Sequence, residues 1–408
     1  MKNTSTTTDF RILIYTEDIP VGENTVAHGL HRASGPILKS IRDDLEKIAI
    51  YPTHTRFPRS RFDADLVDRC LTSGFWTTIL SKLSRRLAPF RKFLGTTLPI
   101  RSLAFRLRHS KAHMVLAVVG SSAETIERTA MLSRLLRKPY ALYLVDDFLL
   151  PLRLAGQSET AISLVRKSAQ THLDGAMKIF TITDGLGDLV QKEYGTSSTT
   201  LHLAFAAQKR QRQRAKPQIF YLGSVNFLYA EGLKALFEII ERIRSELRLD
   251  LTLRMTTQPS IAREILGELP EFVVAAPIPD SRVLADEIAS SLFAYLPYSF
   301  AAEHKRMVSS SFPSKALEYF AQARSIVVYG PRYGTATEYF KKYDLPTVAE
   351  TLEDLEKAVR NHLDAAPDYG ALYGDALEQN HSIAAAGSTV RSELRQCQAG
   401  IRDQSMTG

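Results

Sequence analysis

Short apolar segments of strand length alternate with longer helical segments along most of the chain, and this alternation limits the fold more than any other feature. The apolar segments are continuous rather than alternating, as in 113-HMVLAVVG-120 and 325-SIVVYG-330. Continuous apolar runs are typical of parallel strands that are covered by helices on both faces. The sequence therefore predicts an α/β fold. The predicted strands are residues 11–16, 48–53, 113–120, 140–145, 177–183, 218–223, 250–255, 291–297 and 325–330.

Helices are predicted between these strands. Residues 25–47 are expected to be helical, with Gly35-Pro36 as a point where the helix could break, and residues 62–110 are expected to be mostly helical and basic. Residues 298–311 are expected to form a long loop. Ligands of such sheets bind beyond the carboxyl ends of the strands, so the loops that follow the strands are the candidate sites. The other predicted helices are residues 122–137, 159–173, 184–194, 230–246, 260–267, 313–322, 334–342, 352–366 and 383–399.

The length of the chain predicts two domains. It has 408 residues, whereas a single hydrophobic core rarely grows past about 250–300 residues. The basic stretch 209–216 has no apolar period and is typical of a linker. We therefore expect Rossmann-like, doubly wound domains at 1–208 and 217–382, and a C-terminal helix at 383–408 that could cross back to the first domain.

The two halves of the chain differ in charge. Residues 1–216 hold 33 Lys and Arg and 19 Asp and Glu, a net charge of +14. The remaining residues hold 19 Lys and Arg and 25 Asp and Glu, a net charge of −6. The first domain is therefore expected to face an anionic partner, and nucleic acid, an anionic membrane and a phosphorylated substrate are all open at this point.

Other features of the composition indicate a cytoplasmic protein. No apolar run approaches the ~18 residues of a membrane span, and the polar N-terminus lacks the apolar stretch of a signal peptide. Cys70 and Cys397 are the only cysteines, which argues against a disulfide framework and against a cysteine metal site.

The segment 297–331 is the most specific in the chain. It consists of a strand that ends in Pro, a Ser-Phe-Pro-Ser-Lys turn, a Glu-Tyr pair and a second aliphatic strand. This order resembles the donor-binding segment of retaining GT-B glycosyltransferases, particularly those of family four. The resemblance extends in order over residues 10–365 and implies two Rossmann-like domains facing a cleft. Its other parts are 20–24, 138–151, 179–195 and 218–225. The matching residues of the specific segment are Pro297, Ser311, Pro313, Ser314, Lys315, Glu318, Tyr319 and 326–330.

The chain departs from the family pattern at several positions. Where the family often has the first Glu of Glu-x7-Glu, this chain has Ser310. Ser224 stands where an Arg is common, and Glu231-Gly232 stands where Lys-Gly is common. Two cations that commonly bind the donor diphosphate are therefore absent, which leaves the phosphate contacts and the sugar specificity open.

The resemblance implies a donor site in the second domain. It assigns Glu318 to the ribose hydroxyls, and the helix start at Ser311, Ser314 and Lys315 would favour a diphosphate. Gly223 and Ser224 form the Gly loop, and Arg254, Lys305 and Arg306 are candidates to replace the missing cations. The structural alternatives are a Glu in the first helical turn and solvated surface charges.

The acceptor is expected in the first domain. Gly22, Glu23 and Asn24 form its first turn, and Asp146 and Asp147 follow a strand at its carboxyl end. A carboxylate there could accept the proton of an acceptor hydroxyl; the alternative is an Asp that caps the next segment. No cofactor and no metal are expected, and the nucleotide-sugar is a substrate.

The basic segment 85–111 alternates cations with Leu, Phe and Ile, a pattern typical of a helix on an anionic membrane. The alternatives are that the segment binds an acidic glycan or phosphate, or that it is a solvated helix face. No nucleic-acid motif accompanies it.

Taken with the resemblance, the sequence predicts a glycosyltransferase that moves a sugar, with retention, from a nucleotide-sugar to a hydroxyl of a glycan, lipid-linked or small-molecule acceptor. If the enzyme is a peripheral membrane protein, it is expected on the inner face of the membrane. An epimerase-like enzyme and a non-catalytic binding protein with this fold are the alternatives.

Overall fold

The computed structural model describes residues 10–16, 30–50, 69–72, 96–206 and 213–406. For residues 30–34 and 401–406 it describes the backbone only. The chain divides into two compact units. Unit 1 is Met1–Ala204 together with Ile383–Gly408, and unit 2 is Phe205–Ser382. Both are α/β, and each is built on one parallel sheet.

Unit 1 holds a seven-stranded sheet in the order β3-β2-β1-β4-β5-β6-β7. The central strands β1, β4 and β5 are buried at every residue, as the continuous apolar runs predict. The strands are β1 Ile12–Thr16, β2 Leu45–Ile50, β3 Cys70–Thr72, β4 Met114–Val119, β5 Tyr140–Leu144, β6 Lys178–Thr181 and β7 Thr199–Thr200. The helices are α1 Leu30–Ser40, α2 Leu98–Arg106, α3 Ala123–Leu136, α4 Leu150–Leu154, α5 Glu159–Asp174, α6 Asp184–Tyr194 and α15 Ile383–Met406.

Unit 2 holds a six-stranded sheet in the order β10-β9-β8-β11-β12-β13. The strand order reverses between β8 and β11, and this is the point at which doubly wound sheets bind ligands. The strands are β8 Lys216–Tyr221, β9 Thr252–Met255, β10 Val273–Ala275, β11 Ser291–Pro297, β12 Ile326–Tyr329 and β13 Val348–Ala349. The helices are α7 Phe227–Leu247, α8 Pro259–Leu266, α9 Ser281–Ser290, α10 Lys305–Ser310, α11 Lys315–Gln322, α12 Thr335–Lys342, α13 Leu352–Ala365 and α14 Gly370–His381.

Several sequence predictions of local structure were wrong. Cys70–Thr72 is a strand inside a stretch predicted to be helical, because pairing with β2 supplies the hydrogen bonds that a local pattern does not show. Residues 305–310 form a helix rather than part of a loop, and the buried Val308 anchors it. Pro36 lies inside α1, so the break that was left open at Gly35-Pro36 does not occur. Strand β8 begins at Lys216, the last residue of the stretch 209–216, which stays a predicted linker.

The C-terminal helix α15 packs against α1 within unit 1. Arg391 Nη1 donates a hydrogen bond of 2.8 Å to the carbonyl of Ser40, and Arg395 lies 3.4 Å from Asp44. A Cβ at Gly387 would collide with the Ser40 carbonyl oxygen. The contact between these helices therefore depends on the absence of a side chain at Gly387.

We predict that Gly387→Ala lowers the free energy of unfolding by about 1–3 kcal/mol, because the added methyl would meet rigid backbone. Gly400→Ala on the same helix is the matched control, since nothing lies within 4 Å of its Cβ position. The control should be neutral or raise stability by roughly 0.5–1 kcal/mol through helix propensity. Chemical denaturation of both variants measures the difference, and equal effects would contradict the close packing.

Candidate functional site

The loop after β8 is held at the point where the strand order of unit 2 reverses. Gly223 has φ +96°, a conformation that favours glycine, and its N–H donates to Thr256 Oγ1 at 2.7 Å. Thr257 Oγ1 donates to the Gly223 carbonyl at 2.5 Å, and Tyr221 Oη donates to the Ser224 carbonyl at 2.9 Å. The Leu222 N–H, in the same loop, donates to a tyrosine of α11. Four backbone groups of the loop are therefore hydrogen-bonded to side chains around it.

That tyrosine, Tyr319, connects helix α11 to both strands at the reversal point. Its hydroxyl accepts the Leu222 N–H at 2.7 Å and donates to the Tyr295 carbonyl of β11 at 3.3 Å. Tyr319 is fully buried, and burial raises its pKa above the ordinary range, so the hydroxyl keeps its proton. The start of α11 is thereby held beside the loop after β8.

Lys315, the first residue of α11, is buried with its amine against aromatic rings. Its Nζ lies 3.7 Å from the ring centroid of Tyr229 and 4.1 Å from that of Tyr221. Among the described residues its Nζ has no hydrogen-bond partner. Burial lowers the pKa of Lys315 well below its ordinary value. The alternative of a solvated surface charge is therefore wrong for Lys315, whose amine lies in the interior.

The other predicted donor residues of this region lie in α11 or in the few residues before it. Ser311 directly follows α10, and its carbonyl accepts from Tyr298 Oη at 2.9 Å and from Thr335 Oγ1. Ser314 precedes α11, and its side chain does not cap the helix. Glu318 lies in the first turn of α11 and is half-buried. Ser311 and Ser314 thus precede α11 and Glu318 lies in its first turn, and their role in donor binding stays a prediction.

Glu231 performs a structural task in the position where the family pattern often has Lys. Its Oε2 accepts from Ser299 Oγ at 3.1 Å and from the Phe300 N–H at 3.0 Å. The same Ser299 hydroxyl lies 2.9 Å from His304 Nδ1, and the His304 ring lies 4.8 Å from that of Phe227. The Glu therefore holds the chain that follows β11, a role that the sequence comparison missed.

The candidate replacement cations have different surroundings. Lys305 is exposed, and its Nζ lies 5.0 Å from the ring centroid of Tyr333; Arg306 is half-buried on the same helix, α10. Arg254 Nη1 donates to the carbonyls of Met255, at 2.6 Å, and Ala276, at 2.8 Å. Arg254 Nη1 thus ties β9 to the residues after β10, and a donor role for Arg254 stays a prediction.

In unit 1 the two adjacent aspartates after β5 are in different environments. Asp147 is buried, and its Oδ1 accepts the Leu149 N–H at 3.1 Å, two residues along the chain, in an Asx turn ahead of α4. Asp146 is half-buried, and burial together with the Asp147 charge raises its pKa to about 6. Tyr143 lies close enough for the Asp146 charge to raise its pKa further. Gly22, Glu23 and Asn24 lie outside the described residues.

The basic segment is described from residue 96 onward. Helix α2 buries Ile100 and Leu103, and it exposes Arg101 and Phe105 on its surface. The Phe105 side chain is 65% exposed, and the guanidinium of Arg108 lies 4.0 Å from its ring centroid. This part of unit 1 therefore presents cations around an exposed aromatic ring.

No cluster of three or more His, Cys, Asp or Glu suited to a metal occurs within the described ranges. In the same ranges, no helix has the length and apolar character needed to cross a membrane.

No family model matches the chain, and no curated protein matches it. Solved structures match at probability 1.00. Sucrose-phosphate synthase from Thermosynechococcus elongatus has a TM-score of 0.63 and 12% identity, over 96% of this chain and 100% of that chain. Trehalose 6-phosphate synthase from Burkholderia multivorans has a TM-score of 0.58 and 11% identity, over 97% and 98%.

A third similar structure is the E. coli trehalose-6-phosphate synthase bound with UDP-2-fluoro glucose, with a TM-score of 0.55 and 10% identity, over 94% of this chain and 99% of that chain. At these identities the likeness concerns the fold. The predicted architecture is confirmed: the chain has the GT-B fold, with two Rossmann-like α/β parts, that these synthases share.

Proposed function

We propose that the protein is a glycosyltransferase that transfers a sugar from a nucleotide-sugar to a hydroxyl, with retention and without a metal. One observation carries the proposal: in a chain of GT-B fold, the Gly223 loop, the start of α11 and the half-buried Glu318 are brought together by Tyr319 at the strand-order reversal of unit 2. Nucleotides bind doubly wound sheets at this point. The resemblance of residues 297–331 to retaining enzymes supports the stereochemical outcome.

The donor is held by hydrogen bonds and charge in unit 2. The Glu318 carboxylate accepts hydrogen bonds from the ribose hydroxyls, and the positive end of the α11 helix dipole faces the diphosphate. Lys315 supplies the cation nearest to this helix start, while Lys305 and Arg306 belong to the neighbouring α10. As the bond between the sugar and the diphosphate breaks, these groups stabilise the negative charge that develops on the leaving group.

Asp146, rather than Asp147, is the group in unit 1 that receives the acceptor hydroxyl. Asp147 is committed to the Leu149 N–H, whereas Asp146 is more exposed and titrates closer to neutral pH. A base works best when its pKa lies near the working pH. When the new bond forms between the acceptor oxygen and the anomeric carbon, the hydroxyl proton passes to the Asp146 carboxylate or to the departing phosphate. Gly22, Glu23 and Asn24 remain predicted acceptor contacts.

We also propose the class of acceptor and a membrane surface to which the enzyme binds. The acceptor is a glycan, a lipid-linked sugar or a small molecule, and the exposed cations around Phe105 would bring unit 1 to an anionic membrane surface from the cytoplasmic side. Nucleic acid is not proposed as a partner. Addition of a metal chelator should leave the transfer rate unchanged.

We predict that one nucleotide among UDP, GDP, TDP, ADP and CMP raises the melting temperature of the protein, and that Glu318→Ala removes the increase. A ligand at about 100 times its Kd adds roughly 2.7 kcal/mol of stability. Glu238→Ala, at an exposed position of α7, is the matched control and should keep the increase. If no nucleotide shifts the wild type, the non-catalytic alternative replaces the proposal. If a sugar-nucleotide is converted without any acceptor, the epimerase-like alternative does.

We predict that Asp146→Asn raises stability and lowers the transfer rate. Because the folded-state pKa of Asp146 is about 6 and its ordinary value is 3.8, the charged form disfavours folding. The penalty is absent below about pH 4, grows through the interval between the two pKa values, and is roughly 1–3 kcal/mol above it. Denaturation at pH 7.5 and pH 4 should therefore show a gain only at the higher pH. The exposed Asp188→Asn is the control, and a loss of stability at pH 7.5 would contradict the assignment.

We predict that the protein sediments with vesicles of anionic lipid and less with vesicles of neutral lipid, and that salt weakens the association. Phe105→Ser should weaken it about tenfold, since the ring supplies buried apolar area worth roughly 1.5 kcal/mol or more. Leu164→Ser replaces a side chain of similar exposure elsewhere in unit 1 and serves as control. Equal binding of both vesicle types would contradict a cationic docking surface.

A further inference from the structure

The Lys315 amine is in an unusual position for a residue expected to bind an anion. It stands at the first residue of an eight-residue helix, yet its side chain is directed into the protein and the residue is only 7% exposed. Within the described part of the chain its Nζ has no hydrogen-bond partner. A charged ammonium would be expensive to bury in this way, because it would lose its hydration without gaining a counter-ion.

The aromatic rings around the amine attract a cation, but this attraction is weaker than the cost of burying an ammonium without a counter-ion, so the rings alone do not keep the amine charged. Tyr229 of α7 and Tyr221 of β8 face the amine with ring centroids 3.7 and 4.1 Å from Nζ. A third ring, that of Tyr298, lies 6.2 Å from the ring of Tyr229. We call Tyr221 and Tyr229 the aromatic cradle of Lys315.

The titratable groups near the cradle do not supply a counter-ion in the free protein. Burial raises the pKa of Tyr229 to about 12 and those of Tyr221 and Tyr298 further, so these hydroxyls keep their protons. Helix α11 carries Glu318 one turn along from Lys315, and α7 carries Glu231, Glu238, Glu241 and Glu246. Glu231 is committed to Ser299 and Phe300, and the lowered pKa of Lys315 has burial as its cause, with no carboxylate raising it.

We propose that Lys315 rests in the aromatic cradle as an uncharged amine in the free protein, and that binding of the sugar-diphosphate part of the donor draws it out of the cradle as an ammonium that has taken one proton from the solvent. Tyr221 and Tyr229 are then positioning residues for the donor. The inference rests on the proposed function, since it concerns how the same site receives its substrate.

The long side chain makes this movement possible without a change of the backbone. Lysine has four rotatable bonds, so its amine can leave the rings and reach an anion bound beside the start of α11. An anion placed there favours the charged amine and stabilises it by a charge-assisted hydrogen bond. The uptake of a proton therefore belongs to the binding of the diphosphate and not to the later transfer step.

The affinity for the donor therefore falls as the pH rises, because a proton is taken up when the donor binds. Below the pKa of Lys315 in the free protein, the amine is already charged and no proton is taken up. Between that pKa and the higher pKa in the complex, each pH unit weakens donor binding by up to about tenfold. Above the pKa in the complex, the affinity becomes independent of pH again, at a weaker value.

Titration calorimetry of the intact protein with UDP-glucose, GDP-mannose, TDP-glucose and ADP-glucose tests the inference. These sugar-nucleotides carry a diphosphate that does not itself titrate near neutral pH. Each is measured in two buffers of different ionisation enthalpy, so that the difference in heat gives the number of protons taken up. The tightest ligand should take up ~1 proton at a pH between the two pKa values of Lys315.

Four variants locate the proton. Lys315→Met should abolish the uptake and weaken binding roughly 10–100-fold, because it removes a hydrogen bond to a charged group. Lys234→Met, at an exposed position of α7, should keep the uptake of the wild type. Tyr229→Leu, which opens the cradle to water, should reduce the uptake and flatten the pH dependence, whereas Tyr229→Phe, which keeps the ring, should preserve both.

The outcomes separate this inference from the proposed function. Binding without proton uptake, or uptake that persists in Lys315→Met, overturns the inference and leaves the donor site standing. No heat with any of the four ligands, and no thermal shift with any nucleotide, overturns both. Equal uptake in Tyr229→Leu and the wild type would overturn the positioning role of the cradle.

Discussion

The hydroxyl of Tyr319 is the contact on which the arrangement of unit 2 depends. It accepts a hydrogen bond from the chain after β8 and donates one to β11, the two strands between which the order of the sheet reverses. Because Tyr319 lies on α11, the same hydroxyl places the start of that helix next to the Gly223 loop. A buried hydroxyl with both a donor and an acceptor partner has little freedom to move, so the helix and the loop form one rigid frame.

Within that frame, the polar groups are divided between structure and function. Glu231, Thr256 and Thr257 hold backbone groups of the loops, and Arg254 holds the ends of two strands. The Lys315 amine has no such structural task within the described part of the chain. Interiors seldom keep an amine without a hydrogen-bond partner unless the site uses it, and this is the physical basis for assigning Lys315 to the donor.

Unit 1 shows the same division in two adjacent residues. Asp147 caps the chain that leaves β5, and its charge in turn raises the pKa of Asp146. A pair of neighbouring carboxylates in different environments can thus provide one structural anion and one group that exchanges protons near neutral pH. Burying the Asp146 carboxylate beside the Asp147 charge lowers the stability of the folded protein, and residues of functional sites often lower stability in this way.

The sequence by itself determined the α/β class, the parallel sheets and the order of the donor segment, because continuous apolar runs and helix periods are local properties of the chain. The strands β1, β4, β5, β8 and β11 follow directly from such runs. Short strands such as Cys70–Thr72 and Val273–Ala275 depend on pairing with a neighbour, so the tertiary structure alone decided them. The same holds for the site: residue types and spacing predicted Lys315 and the Asp146–Asp147 pair, but burial depends on residues far away in the chain. Only the folded protein could therefore place the amine between Tyr221 and Tyr229 and distinguish Asp146 from Asp147.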